Sequence, residues 1–143
     1  MTINEIQDEI IEDFTLLDDW MDRYQLLIDL GEDESDLTDE ERNDTNLIEG
    51  CQSRVWLVCD EVDGTLEYRA ESDALIVKGI AVLLMRVLSG HTPQEILDAD
   101  LYFIDKIGLS EHLSPTRSNG LLAMVKQMRM YALAYQTKLS QGK

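Results

Sequence analysis

The chain contains little cysteine and little histidine, with two residues of each among 143. Two cysteines cannot form a disulfide framework, and an iron–sulfur cluster usually takes four thiolates. The sequence has no Cys-x-x-Cys pair and no Cys/His array with zinc spacing. It therefore predicts neither a disulfide scaffold nor a bound metal.

Long apolar runs are also missing. The longest candidate, IAVLLM at 80–85, is bounded by Lys78 and Arg86 and is far shorter than the roughly 18 residues of a membrane span. The first residues are acidic and lack the basic start and apolar core of a secretory signal. We expect no membrane association, and residence in the cytoplasm or an equivalent reducing compartment.

Basic residues are few, with 12 against 29 acidic ones and a net charge of −17. The imbalance lies in residues 1–50, which contain 18 acids and two bases. A field of this sign repels phosphate backbones, so nucleic-acid binding is disfavoured. The acidic half either forms a solvated face that aids solubility or orients a basic partner, and the sequence leaves both interpretations open.

A length of 143 residues suits one domain, 1–143, with a sizeable core. Apolar spacing predicts an amphipathic helix over 3–17, with Thr2 and Glu5 as its capping box, and a second helix from Asp18 that ends at Gly31. An acidic connector, 32–45, follows and is too polar to bury, although Thr38 and Glu41 could cap one turn in it.

The pattern then changes to that of a hairpin. Residues 53–59 resemble a strand buried on both faces, and 62–72 alternate after the turn signal Asp63-Gly64. Residues 47–50 add a short strand or a bend before the hairpin. We expect Ser72 or Asp73 to cap an apolar helix over 74–90.

Three more helical segments are predicted, opening at Thr92, spanning 101–109, and opening at Ser114-Pro115. Helices, a small antiparallel sheet and further helices together predict an α+β fold with helices packed on the sheet.

The two cysteines have different surroundings. Cys51 follows Gly50 and precedes polar residues at a corner between a loop and a strand, whereas Cys59 closes an apolar run. Glycine and polar neighbours permit exposure of a thiol without requiring it, so Cys51 is either a reactive or a buried structural cysteine. Cys59 is expected to be structural.

A cysteine hydrolase is one enzymatic alternative. Such an enzyme needs a histidine beside its thiol. The candidates are His91, which could equally be a solvated loop residue, and His112, whose ring could pack beside Leu113. No local signature supports a catalytic pair. An acidic interaction adaptor without thiol chemistry is another alternative.

Four short blocks, in order along residues 10–135, resemble the SufE family of sulfur-acceptor proteins. They are GCQSRVWL (50–57), ESDALIVKGI (71–80), HTPQEIL (91–97) and LSPTRSNGL (113–121). The resemblance implies the SufE/IscU-like form of the α+β fold. It also implies a partner of a pyridoxal-phosphate cysteine desulfurase, which stimulates that enzyme rather than acting as an enzyme alone. Such a protein binds no cofactor of its own, and a homodimer is compatible with the resemblance.

By the same resemblance, Cys51 accepts the persulfide sulfur of the desulfurase and passes it to a scaffold for iron–sulfur cluster assembly. Because a persulfide is easily lost, we expect the Cys51 loop to tuck beside Trp56 and to swing out on docking, with Gly50 as the hinge. Gln52 and Ser53 are expected to set the loop or to contact the donor.

Asp73 and Arg117 match charged positions of the family's blocks, where they could shape the Cys51 environment or the partner surface. Each also has a purely structural interpretation. Asp73 could cap the central helix, and Arg117 could pair with an acid in the first turn of its own helix.

Overall fold

A computed structural model of the protein describes residues 2–32, 37–48 and 54–141. It has an α+β architecture in which helices pack on one antiparallel hairpin. In chain order the elements are α1 (Ile3–Thr15), α2 (Trp20–Glu32), β1 (Val55–Val62), β2 (Thr65–Ser72), α3 (Leu75–Leu88), α4 (Pro93–Asp98), α5 (Phe103–Lys106), α6 (Leu109–His112) and α7 (Pro115–Gln141).

The hairpin is built as its sequence predicts. Its two-residue turn has positive φ at both positions, 53° at Asp63 and 88° at Gly64, which is the type I′ geometry that matches the twist of paired strands. The register runs from Val55 opposite Ser72 to Val62 opposite Thr65. The prediction that β1 is buried on both faces is wrong. Only alternate residues of the strand are buried, and Trp56 on the other face is half-covered.

The central helix α3 packs against β2, α2 and α7, and most of its residues are buried. Its crossing with α2 is very close, because a Cβ added at Gly79 would lie 2.1 Å from the carbonyl oxygen of Leu27. Gly31 faces the same crossing, with a Cβ position 3.2 Å from the nitrogen of Gly79. Gly31 lies at the C-terminal end of α2, as predicted, and its small size there lets the two backbones meet.

The segment between α2 and β1 is more firmly packed than its acidity suggests. Leu37 is only 3% exposed, so the prediction that this connector is too polar to bury fails at Leu37, while most of its other described residues are exposed. The capped turn is confirmed: Thr38 N–H donates to the Glu41 carboxylate at 3.1 Å, and Glu41 N–H donates to the Thr38 hydroxyl at 3.2 Å. The Glu41 carboxylate also takes two hydrogen bonds from Arg69 on β2, which attach the connector to the outer face of the hairpin.

The helices after α3 follow the predicted order, except that one predicted helical segment is divided into two helices. The segment 101–109 is interrupted at Gly108, whose φ of 80° separates α5 from α6. The capping box of α4 at Thr92 and Glu95 is present, as is that of α1. Within the described residues no helix is both long enough and apolar enough to cross a membrane.

Candidate functional site

Gly50, Cys51, Gln52 and Ser53 lie outside the described residues, as does the predicted movement of their loop. Backbone hydrogen bonds hold the chain on both sides of residues 49–53. Ile48 N–H donates to the carbonyl of Val55 at 2.8 Å, Leu57 N–H donates to the carbonyl of Asn46 at 2.9 Å, and Leu47 forms an antiparallel bridge with Trp56. Residues 46–48 therefore run beside β1 as an additional short edge.

Asp73 binds the residue at which the described chain resumes. Its carboxylate accepts the N–H of Arg54 at 3.1 Å, and its own N–H donates to the Arg54 carbonyl at 3.3 Å. The prediction that Asp73 or Ser72 is the N-cap of α3 is wrong, because the cap position is Ala74, which has no side-chain cap hydrogen bond. The Ser72 hydroxyl accepts the N–H of Ala74 at 3.2 Å.

Glu71 is a charged residue of this region that sequence reasoning did not single out. Its side chain is buried, and its carboxylate lies 3.2 Å from Lys78 Nζ on α3 and 3.9 Å from an Arg42 nitrogen on the connector. It also accepts the N–H of Ser72 at 3.0 Å. A single carboxylate thus joins the connector, β2 and α3. Strand alternation places Glu71 on the outer face, but no local pattern indicates that the connector covers it.

The helix α7 lies along β1. The hydroxyl of Tyr131 donates to the carbonyl of Leu57 at 3.5 Å, and that of Tyr135 donates to the carbonyl of Cys59 at 3.1 Å. Four helical residues advance about 6 Å, as do two strand residues, so the helix and the strand run in the same direction. The early turns of α7 therefore point toward the side of the sheet at which β1 begins.

Arg117 lies in the first turn of α7, where its N–H donates to the Ser114 hydroxyl at 3.3 Å. Its side chain is half-buried. The first turn of α7 contains no acidic residue, so pairing of Arg117 with a first-turn acid is wrong. Asp73 and Arg117 occupy separate elements, the end of the hairpin and the start of α7, and of the two it is Asp73 that bonds to the chain beside residues 49–53.

A groove of about 570 Å³ separates residues 44–48 from α7. Leu47 and Ile48 line one wall, and Asn119, Ala123 and Lys126 contribute to the other. The groove therefore reaches the last described residue before the segment that carries Cys51.

Cys59 is buried in the core, as predicted. Burial, with the nearby Asp60 carboxylate adding to it, raises the pKa of the Cys59 thiol to about 12. Because the thiolate is the nucleophile, burial and the raised pKa both make Cys59 a poor nucleophile in the folded chain at neutral pH.

The two histidines have structural settings. His91 is buried rather than solvated, and its carbonyl accepts the N–H of Leu66 at 2.9 Å in an isolated bridge beside β2. The ring of His112 stacks on Trp20 at 3.9 Å between centroids, and its Nδ1 lies 3.0 Å from the carbonyl of Gly108. No group of three or more potential metal ligands comes together in the described part of the chain.

Comparison with known proteins shows which family this arrangement represents. A family model described as "SufE: Fe-S metabolism associated domain" matches residues 8–132. The chain belongs to the SufE family. Its association with Fe–S metabolism follows from that membership, and the resemblance seen in the four sequence blocks is confirmed.

Curated relatives extend over most of the SufE-family chain. An uncharacterized SufE-like protein of Rhizobium meliloti is 41% identical over 130 residues, which cover 87% of this chain and 93% of the relative. An uncharacterized SufE-like protein of Rhizobium etli is 43% identical over 127 residues, which cover 85% of this chain and 86% of the relative.

The fold agrees with a solved structure. The solution structure of a hypothetical protein from Thermus thermophilus matches with a TM-score of 0.75 and covers 92% of this chain and 96% of that one. Its 23% sequence identity makes this a likeness of fold. The predicted α+β class, a small antiparallel sheet packed against several helices, is confirmed.

Proposed function

We propose that this SufE-family chain is a sulfur carrier with Cys51 as its carrier residue. It takes persulfide sulfur from a pyridoxal-phosphate cysteine desulfurase, stimulates that enzyme, and passes the sulfur to a scaffold on which iron–sulfur clusters are built. It acts as an accessory protein rather than as an enzyme alone. The general association with Fe–S metabolism comes from the family, and the steps are our inference.

The observation that carries the proposal is the state of the other thiol. The chain has two cysteines, and Cys59 is buried with its pKa raised to about 12. Sulfur transfer between proteins requires a thiolate that a partner can reach. Any such chemistry in this chain therefore falls to Cys51.

The transfer is an exchange at sulfur and needs no external oxidant. The Cys51 thiolate attacks the outer sulfur of the donor's cysteine persulfide, forming a new S–S bond. The donor's own S–S bond breaks, and its cysteine leaves as a thiolate. The proton lost by Cys51 balances the proton that this thiolate later takes up. A thiolate of the recipient then attacks the outer sulfur on Cys51 in the same way.

Hydrogen bonds hold the described chain at both ends of the segment 49–53. On one side Ile48 is bonded to Val55, and on the other Arg54 is bonded to Asp73 in both directions. Because both flanks are held in the fold, the two ends of the segment that carries Cys51 are placed where a docked partner would meet them. We propose this positioning role for Asp73. For Arg117, at the start of α7, we propose a contact with the partner surface.

The test is sulfur acquisition measured by intact mass. Wild type, Cys51→Ser and the matched control Cys59→Ser are incubated with a cysteine desulfurase and L-cysteine. We expect wild type and Cys59→Ser to gain one sulfur and to stimulate the desulfurase, and Cys51→Ser to do neither. Sulfur gain or full stimulation by Cys51→Ser would contradict the proposal, and the result would then favour an adaptor without thiol chemistry.

A further inference from the structure

The helix α7 carries basic residues and no acidic ones. The protein has 29 acids and a net charge of −17, but residues 115–141 contain four bases and no acid. The bases are Arg117, Lys126, Arg129 and Lys138. In an acidic protein, a helix with bases and no acids offers a negatively charged surface little local repulsion.

The same helix exposes a line of large apolar side chains. Leu122 is 67% exposed, Met130 53% and Leu133 56%. With Lys126 they follow spacings of four, four and three residues, which place them on one helical face. We call these four residues the outer stripe. The core face of α7 is a different one, formed by Leu121, Met124, Met128 and Ala132.

The outer stripe is concave where it meets α4. A groove of about 420 Å³ forms there, with Leu97 of α4 and Val125 of α7 beside the stripe. Its walls are mainly apolar, and the basic groups of Lys126 and Arg129 border it. Apolar side chains concentrated in this way are typical of a surface that binds another protein.

We propose that the outer stripe is the surface on which the sulfur donor docks, through an apolar segment flanked by carboxylates. This inference rests on the proposed function. Lys126 and Met130 also line the 570 Å³ groove that reaches Ile48, beside the segment carrying Cys51. A donor seated on the stripe therefore has a continuous surface leading to Ile48, three residues before Cys51 in the chain.

A second copy of this chain fits the stripe less well. In a two-fold dimer the same patch faces itself, so two copies of Lys126 and of Arg129 would be brought together. Like charges placed close together across an interface are unfavourable. An acidic partner instead neutralises them, and the contact should weaken as salt increases.

The test compares stimulation of a cysteine desulfurase by wild type and by two variants, Lys126→Glu and Leu122→Ala/Leu133→Ala. The concentration of this protein that gives half-maximal stimulation should be about tenfold higher for each variant than for wild type. The maximal desulfurase rate should stay within twofold of the wild-type rate. Increasing salt should raise the half-saturating concentration of wild type and should have less effect on that of Lys126→Glu. Alkylation of Cys51 by iodoacetamide should proceed at the wild-type rate in both variants.

Matched controls come from exposed residues on other elements. Lys106→Glu changes the same charge on α5, and Leu16→Ala removes the same side chain at the end of α1, where it is 79% exposed. Both should leave half-saturation unchanged. If wild type accepts sulfur but the outer-stripe variants match these controls, the docking surface is refuted and the proposed function stands. If wild type gains no sulfur, the proposed function is refuted, and the docking proposal that rests on it is refuted with it. Loss of a dimer with unchanged half-saturation would identify the stripe as a self-association surface and overturn the proposal.

Discussion

Asp73 and Arg54 are bonded to each other twice, through the Asp73 carboxylate at 3.1 Å and through the Asp73 N–H at 3.3 Å. The backbone of Arg54 is thereby fixed at the end of β2, directly before α3. A carboxylate that sequence patterns place at a helix cap instead holds the chain next to the segment with Cys51.

The first prediction concerns this bond. Replacing Asp73 by alanine removes an exposed hydrogen-bond acceptor, so the free energy of unfolding should fall by about 1 kcal/mol or less. The rate at which Cys51 acquires sulfur should fall more than this small loss explains. Asp73→Asn keeps an acceptor oxygen and should retain most of the rate. Denaturant titration and timed intact-mass measurements check both, and equal transfer rates in the two variants would argue against positioning.

The second prediction concerns the number of reactive thiols. Because the pKa of Cys59 is raised to about 12 by burial, a disulfide reagent such as Ellman's should titrate one thiol rapidly in the native protein at pH 7 and two in denaturant. Cys59→Ala should remove the thiol that reacts only in denaturant and should leave the thiol that reacts rapidly in the native protein. Rapid reaction of two thiols in the native protein would contradict the inert role of Cys59.

The third prediction concerns the α2–α3 crossing. A Cβ at Gly79 would lie 2.1 Å from the Leu27 carbonyl oxygen, and backbone cannot move aside as a side-chain end can. Gly79→Ala should therefore destabilise the protein by about 3 kcal/mol or prevent folding. Gly31→Ala meets its nearest atom at 3.2 Å and should cost less. Chemical denaturation of both variants gives the comparison, and the reverse order would contradict the close crossing.

The fourth prediction concerns acid stability. The hydrogen bonds from Arg69 and from Thr38 lower the pKa of Glu41 from 4.5 to about 2 in the folded chain. The stabilisation from this ionised carboxylate is complete above about pH 4.5 and is lost as the pH falls toward 2. Glu41→Gln should thus be less stable than wild type at pH 6, and the difference should shrink below pH 4. Urea midpoints across this range test it, and a difference independent of pH would contradict the ion pair.

Local sequence chemistry predicted much of the fold. The capping box at Thr2 and Glu5, the type I′ turn at Asp63-Gly64 and the inward alternation of Leu66, Tyr68 and Ala70 all depend on neighbours a few residues away. Such interactions operate before tertiary packing, so their patterns can be read directly from the chain. The burial of Cys59 followed in the same way from its apolar strand.

The errors occurred where distant segments meet. Gly31 lies at the C-terminal end of α2 as expected, but its close approach to Gly79, 48 residues later, has no signal in the local sequence. Asp73 resembles a cap but bonds to Arg54, and the buried Glu71 has its partners on α3 and the connector.

The hairpin turn, the capping boxes of α1 and α4 and the burial of Cys59 could all be derived from the sequence, since they follow from local hydrogen bonding and apolar periodicity. Tertiary packing was needed to establish which charges join the flanks of the Cys51 segment and which face of α7 stays exposed, because those depend on contacts between residues far apart in the chain.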